Sequence, residues 1–203
     1  MQELTAKIIL FACIILVNIA IVVFYRRVCI KKRMKPLVRL QEMFDKGLYR
    51  EALTEAENLN DANLKPLLYE FIGNCHFELD NRDEAMQAYE KALSFDADLE
   101  FSYIGLGKLL LKDFKADDAI ENLRKALQID SKNTVAKYYL ALAYEQKGNY
   151  DSAIRELVGA KEINPTVLAI YEKLEDLYLY LGKQSEANEI KKSMQYLKER
   201  SNY

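Results

Sequence analysis

The side chains able to do chemistry in this 203-residue chain are few and scattered. His76 is the sole histidine, so no pair of imidazoles is there to hold a metal or relay a proton. Cys13, Cys29 and Cys75 are far apart, and none belongs to a Cys-x-x-Cys pair. That spacing suits neither a zinc site nor a disulfide framework, and it fits a reducing compartment. No glycine-rich phosphate loop and no serine elbow occurs. Acidic pairs such as Asp117-Asp118 read as helix starts, where negative charge complements the helix dipole. The expectation is a chain without metal, cofactor or enzymatic activity, one that binds rather than reacts.

What must position any binding residue is a set of helices. Asn133 to Thr166 reads NTVAKYYLALAYEQKGNYDSAIRELVGAKEINPT. Apolar residues recur at helical spacing as Leu140, Ala141 and Tyr144, then as Ala153, Leu157 and Ala160, with Gly148-Asn149 between the runs. This is helix, tight turn, helix, each with one apolar stripe. The pattern repeats: the small residue opening each second helix is Ala52, Ala85, Ala119, Ala153 and Ala187, at intervals of 33, 34, 34 and 34 residues. A fixed period near 34 marks a helical repeat array. Helix pairs are expected at 36–46 and 49–59, 66–79 and 82–95, 100–112 and 116–129, 134–147 and 150–163, and 168–181 and 184–199. Asn81 and Asn149 stand at N-cap positions, and Pro66 and Pro165 at junctions where a missing amide is tolerated.

These residues resemble the tetratricopeptide repeat. Thr134 to Val167 has Leu140-Ala141, Tyr144, Gly148, Ala153, Leu157, Ala160 and Pro165 at the spacings of that motif. The units from Pro66, Glu100 and Leu168 follow the same phase, through Tyr69, Ile72-Gly73 and Ala85, through Tyr103, Leu106-Gly107 and Ala119, and through Tyr171, Leu174, Gly182 and Ala187. A unit from Arg33 keeps Leu40, Met43, Gly47 and Ala52 but lacks the early aromatic, so it reads as degenerate. The resemblance implies an all-α fold: a tetratricopeptide-like α-solenoid of four clear repeats plus one degenerate repeat over 36–203. Gly73, Gly107 and Ala141 should face the partner helix of each hairpin, where small side chains allow close approach. Tyr89, Leu123 and Leu157 should fill the space to the next hairpin. His76 and Cys75 read as packing residues.

The resemblance also implies a protein or peptide partner, held on the concave face built by the first helix of each pair. By repeat phase that face carries Glu70, Asn74, Phe77 and Glu78, then Phe101, Ile104, Lys108, Leu111 and Lys112, then Tyr138, Leu142 and Glu145, then Glu172, Asp176 and Tyr180. Chaperone-binding members grip a terminal carboxylate with a lysine and an asparagine. The matching pair here is Glu70 and Asn74, so an acid replaces the lysine and an acidic chaperone tail is not the expected ligand. The apolar and aromatic residues suggest a trough for an amphipathic or extended segment, Phe77 and Tyr138 being its anchors. The alternative for some of them is packing between neighbouring repeats.

Ahead of the repeats, residues 8–25 read IILFACIILVNIAIVVFY, with Asn18 the one clearly polar side chain. Eighteen helical residues span about 27 Å, close to the bilayer core, so a transmembrane helix is expected. A cleaved signal peptide or lipoprotein leader is the weaker reading, because only Lys7 precedes the run, no small-residue cleavage site follows it, and Phe11 is too bulky for a lipobox ending at Cys13. Arg26, Arg27, Lys31, Lys32, Arg33 and Lys35 follow the span. They place the short 1–7 segment outside and the repeats on the cytoplasmic side, with 26–35 a basic linker. A bacterial inner membrane is the favoured setting.

Residues 1–35 hold 7 of the 29 basic residues and 1 of the 31 acidic ones, leaving 36–203 with a net charge of −8. An acidic repeat domain on a basic stalk is not built for nucleic acid. The function expected is a membrane-anchored scaffold or adaptor. A targeting or import receptor of an organelle membrane, or a self-associating structural protein, are the alternatives.

Overall fold

With only 7 glycines and 3 prolines to interrupt it, the chain has few places where a helix must stop. The computed structural model describes residues 34–59 and 61–201, and these form an all-α structure. The expected transmembrane span 8–25, the segment 1–7 and most of the basic linker lie outside the described residues. Among the described residues no helix is long and apolar enough to cross a membrane. The chain divides into two compact units, Met1–Glu55 and Ala56–Tyr203.

The described part of the first unit contains helix α1 (34–45), a turn at Gly47 and the start of α2 (Tyr49–Asn58). Gly47 takes φ 74°, where an L side chain is disfavoured. Leu40 and Ala52 are fully buried, Phe44 meets Tyr49 edge-on, and Arg39 pairs with Glu55 at 3.3 Å.

The second unit is a stack of four hairpins: α3 (Lys65–Glu78) with α4 (Arg82–Phe95), α5 (Glu100–Lys112) with α6 (Ala116–Ile129), α7 (Thr134–Gln146) with α8 (Tyr150–Ile163), and α9 (Leu168–Tyr180) with α10 (Gln184–Ser201). The helix bounds match the expected ones to within two residues. Within each hairpin the first helix ends in a left-handed residue, Asp80, Phe114, Gly148 or Gly182, and the chain closes on itself. Asn81, Lys115, Asn149 and Lys183 donate their backbone N–H to the carbonyls of His76, Leu110, Tyr144 and Tyr178, closing the last helical turn. Asn149 caps α8 by accepting from the Ser152 amide at 3.2 Å. Asn81 does not cap α4 with its side chain; its amide instead reaches the His76 ring at 3.3 Å. Asn133, not anticipated, caps α7 through the Ala136 amide at 3.0 Å.

The small-residue positions are the closest helix contacts. Ala85, Ala119 and Ala153 are completely buried, as are Tyr89, Leu123 and Leu157 one turn later. A Cβ on Gly107 would sit 2.7 Å from Leu123 Cγ, and one on Gly73 would sit 2.7 Å from the Tyr89 ring. Tyr89 also reaches the next hairpin, where a Cβ on Gly105 would lie 2.3 Å from its Cζ. The large residues therefore pack both within a hairpin and onto its successor, so each repeat completes the core of its neighbour. In α10 the exposed Lys191 stands at the position held by Tyr89, Leu123 and Leu157, which leaves that face polar.

Candidate functional site

The first helices of successive hairpins approach one another, α3 with α5 and α5 with α7, and line the inner side of the stack. Residues four apart share a helix face, so Asn74 and Glu78, Lys108 and Lys112, and Leu142 and Gln146 form parallel rungs one repeat apart. Between these rungs lies an open cavity of about 690 Å³ lined by Phe77, Glu78, Lys108, Leu111, Lys112, Tyr139, Leu142, Glu145 and Gln146.

Phe77 forms the floor beneath two cations. The ammonium of Lys108 lies 4.1 Å from its ring centroid and that of Lys112 lies 4.3 Å away; Lys108 is also 5.5 Å from the Tyr139 ring. Lys112 is held at the rim by Asp80 at 3.3 Å, and Asp80 and Asp113 in turn hold Arg82. Lys108 pairs with no carboxylate among the described residues. Burial pushes its pKa down, opposed by Glu78 on the lip of the cavity. Its charge is thus partly stripped of water, with ring faces as its closest compensation. Across the cavity Glu145 pairs with Lys173 at 3.1 Å, and Gln146 donates to the Leu111 carbonyl at 3.1 Å.

Seven of the residues expected on the concave face come together here: Phe77, Glu78, Lys108, Leu111, Lys112, Leu142 and Glu145. Glu70 and Asn74, the pair at the clamp positions, each engage a neighbouring helix. Glu70 accepts from the buried Ser102 hydroxyl at 3.0 Å, and Asn74 Oδ1 accepts from Tyr89 at 2.7 Å, so both tie neighbouring helices together. Burial raises the Glu70 pKa, with the Ser102 hydrogen bond partly offsetting it. Ile104 is 3% exposed and belongs to the core between α5, α6 and α7. Tyr138 packs partly buried against the cluster of Ala141, Leu157 and Leu174, with its ring edge-on to Tyr139 at 5.5 Å. Phe101, 52% exposed, stands outside the cavity. Glu172, Asp176 and Tyr180 are exposed on α9; the Tyr180 ring meets that of Tyr150 at a tilt of 49° with centroids 4.9 Å apart.

Tyr139 and Gln146 complete the cavity and were not among the expected residues. The signal for Tyr139 lay in the period: it is the repeat equivalent of Gly105, which Tyr89 crowds, whereas at 139 the space is open enough for a ring. Cys75 is buried, and burial pushes its thiol up to about 12, which fits an inert packing residue. Among the described residues no three His, Cys, Asp or Glu side chains are placed to hold a metal ion.

A stack of helical hairpins on a period of 34 residues, with small residues at the hairpin contacts and a groove along the first helices, is an α-solenoid. Residues 67–99 and 110–175 each match a model of the tetratricopeptide repeat, and the chain carries those repeats. Over 116 residues it is 31% identical to BBSome complex member BBS4 of Bos taurus, a match covering 57% of this chain and 22% of that protein. Over 84 residues it is 36% identical to protein O-mannosyl-transferase TMTC3 of Homo sapiens, covering 41% of this chain and 9% of that one. The chain thus spans less than a quarter of the length of either relative. The crystal structure of MamA superposes with a TM-score of 0.69 at 20% identity, covering 81% of this chain and 97% of that one, a likeness of fold. Proteins with this repeat generally act as scaffolds for protein–protein interaction, and they are typically not enzymes.

Proposed function

We propose that this chain is a membrane-anchored scaffold or adaptor that holds a protein or peptide partner in the groove of α3, α5 and α7. Residues 8–25 cross the bilayer in this reading, the N-terminus lies outside, and the repeats work on the cytoplasmic side. The observation that carries it is the cavity itself. An aromatic floor, two aliphatic side chains and a half-buried lysine lacking a carboxylate partner converge from three successive repeats. A segment laid across them would cover Phe77, Leu111 and Leu142, and anchors of this kind dominate binding energies. The polar rim of Glu78, Glu145 and Gln146 would set its register. The apolar run before a basic cluster supports the anchor and its orientation.

A photocrosslinker at Leu142 in native membranes tests the groove. It should capture a discrete protein, and Phe77→Ala should abolish the capture while helical content persists. Equal capture by a crosslinker at Glu90, on the second helix of its hairpin, would overturn the reading. Protease added outside intact cells should leave the repeats uncut; cleavage there would overturn the orientation.

A further inference from the structure

The charges along the inner helices are not evenly distributed. The repeat equivalents Asn74, Lys108, Leu142 and Asp176 form one row along α3, α5, α7 and α9. Lys108 offers a half-buried ammonium with no carboxylate partner among the described residues, and Leu142 offers a methyl surface one repeat later. One repeat further, α9 presents Asp176 and Glu172, both exposed; Lys198 stands 3.9 Å from Glu172, and Asp176 has no ion-pair partner among the described residues. Between these poles Glu145 is matched by Lys173, and the other lysine on α5, Lys112, is matched by Asp80 at the end of α3. Glu78, exposed on α3, borders the cation on the side away from α9.

We propose that the groove selects a dipolar peptide segment: a carboxylate side chain at one end against Lys108, apolar residues over Phe77 and Leu142, and a cationic side chain at the other end against Asp176 and Glu172. This rests on the groove being the partner site. The dimensions fit a short segment. Helix axes in contact lie about 8–10 Å apart. Here α5 meets α7, and Glu145 of α7 pairs with Lys173 of α9, so two repeats put the poles about 20 Å apart or slightly more. Some six extended residues span that distance at roughly 3.3–3.6 Å each. Complementary poles also fix polarity, because a segment laid the other way brings like charges together at both ends.

The test uses the full chain and synthetic ten-residue peptides, of which the first two contain three glutamates, four leucine and phenylalanine residues, and three lysines. In the dipolar peptide the acids and bases flank the apolar residues on opposite sides; in the control the same charges alternate along the chain. Two further peptides carry glutamate alone or lysine alone at both ends. Fluorescence anisotropy should show the dipolar peptide binding at least ten-fold more tightly than the other three. Asp176→Lys should weaken the dipolar peptide and strengthen the all-glutamate one, and Lys108→Glu should strengthen the all-lysine one. Circular dichroism confirms that each variant is folded. Equal binding of all four peptides, lost together in Phe77→Ala, would overturn the dipolar selection while leaving the groove intact as a site. Binding of none of them would also overturn it, and the crosslinking result would then decide the groove separately.

Discussion

Adding one methyl group at Gly105 should destabilise the chain, although the same change is favourable in most helices. A Cβ built there lies 2.3 Å from Tyr89 Cζ and 2.6 Å from both Cε atoms. Tyr89 cannot simply swing away. It is fully buried, its Cδ1 and Cε1 are 2.7 Å from where a Gly73 Cβ would be, and its hydroxyl donates to Asn74 at 2.7 Å. Replacing glycine by alanine inside a helix favours the helix by about 1 kcal/mol. Overpacking of a filled core costs about 1–3 kcal/mol, and losing the Tyr89 hydrogen bond adds about 1 kcal/mol. The sum for Gly105→Ala is a net loss of about 1–3 kcal/mol, which for a chain of this size lowers the melting temperature by about 2–4 °C per kcal/mol. Gly159→Ala is the internal control. It sits inside α8, and its added Cβ would meet nothing nearer than the flexible end of Lys137 at 3.8 Å, so it should raise the melting temperature. Circular dichroism melts of the two variants should move in opposite directions. Tyr89→Leu in the Gly105→Ala background should cost less than the two single changes added together, because the clash is shared. A Gly105→Ala variant melting at or above the parent would refute the account of Tyr89 as the wedge between hairpins.

Phe114 adopts φ 59° at the turn where the following repeats use Gly148 and Gly182, and it is 82% exposed. Phe114→Gly therefore removes left-handed strain of about 1–2 kcal/mol at little loss of packing, and the melting temperature should rise; a fall would mean the ring has a contact that matters. Glu70 has a folded pKa raised by burial, so its ionised form is less welcome in the folded state than in the unfolded one. Its unfavourable contribution is fully present above the folded pKa and vanishes below the unfolded value of 4.5. Glu70→Gln, which keeps an acceptor for Ser102, should be more stable than the parent at pH 7 and equal to it below that value, as read from urea unfolding at the two pH values. A constant difference at both would show that the carboxylate charge is not the cause.

The parts of the fold legible in the sequence are those the period constrains. A residue caught between two helices has one allowed size, and that size recurs: Ala85, Ala119, Ala153 and Ala187 hold the same position and are all buried. Turn positions were legible where glycine marked them, at Gly148 and Gly182, and less so at Asp80, which tolerates the left-handed conformation, and at Phe114, on which the stack imposes it. The groove was legible in part for the same reason. Repeat phase puts Lys108, Leu111 and Leu142 on the inner face because phase alone decides which way a helical side chain points. Phase does not decide what a neighbour does with it. Glu70 and Asn74 were spent on Ser102 and Tyr89, partners 32 and 15 residues away, and no local pattern announces such a bond.

Tyr138 and Tyr139 show how narrow that margin is. They are adjacent, equally aromatic and both half-buried, yet Tyr138 packs toward α8 and α9 while Tyr139 faces the cavity. Consecutive helical residues point about 100° apart, so a one-residue choice separates core from surface at the edge of an apolar face. The neighbours settle it. The equivalents of Tyr139 in the two preceding repeats are Phe71, buried, and Gly105, where the Tyr89 ring fills the space. Tyr89 fills the inter-repeat space at Gly73 and Gly105, while one repeat on Tyr139 lies beside Lys108 in the cavity. The packing positions repeat because each must fit its neighbour; the groove positions border open space and differ from repeat to repeat.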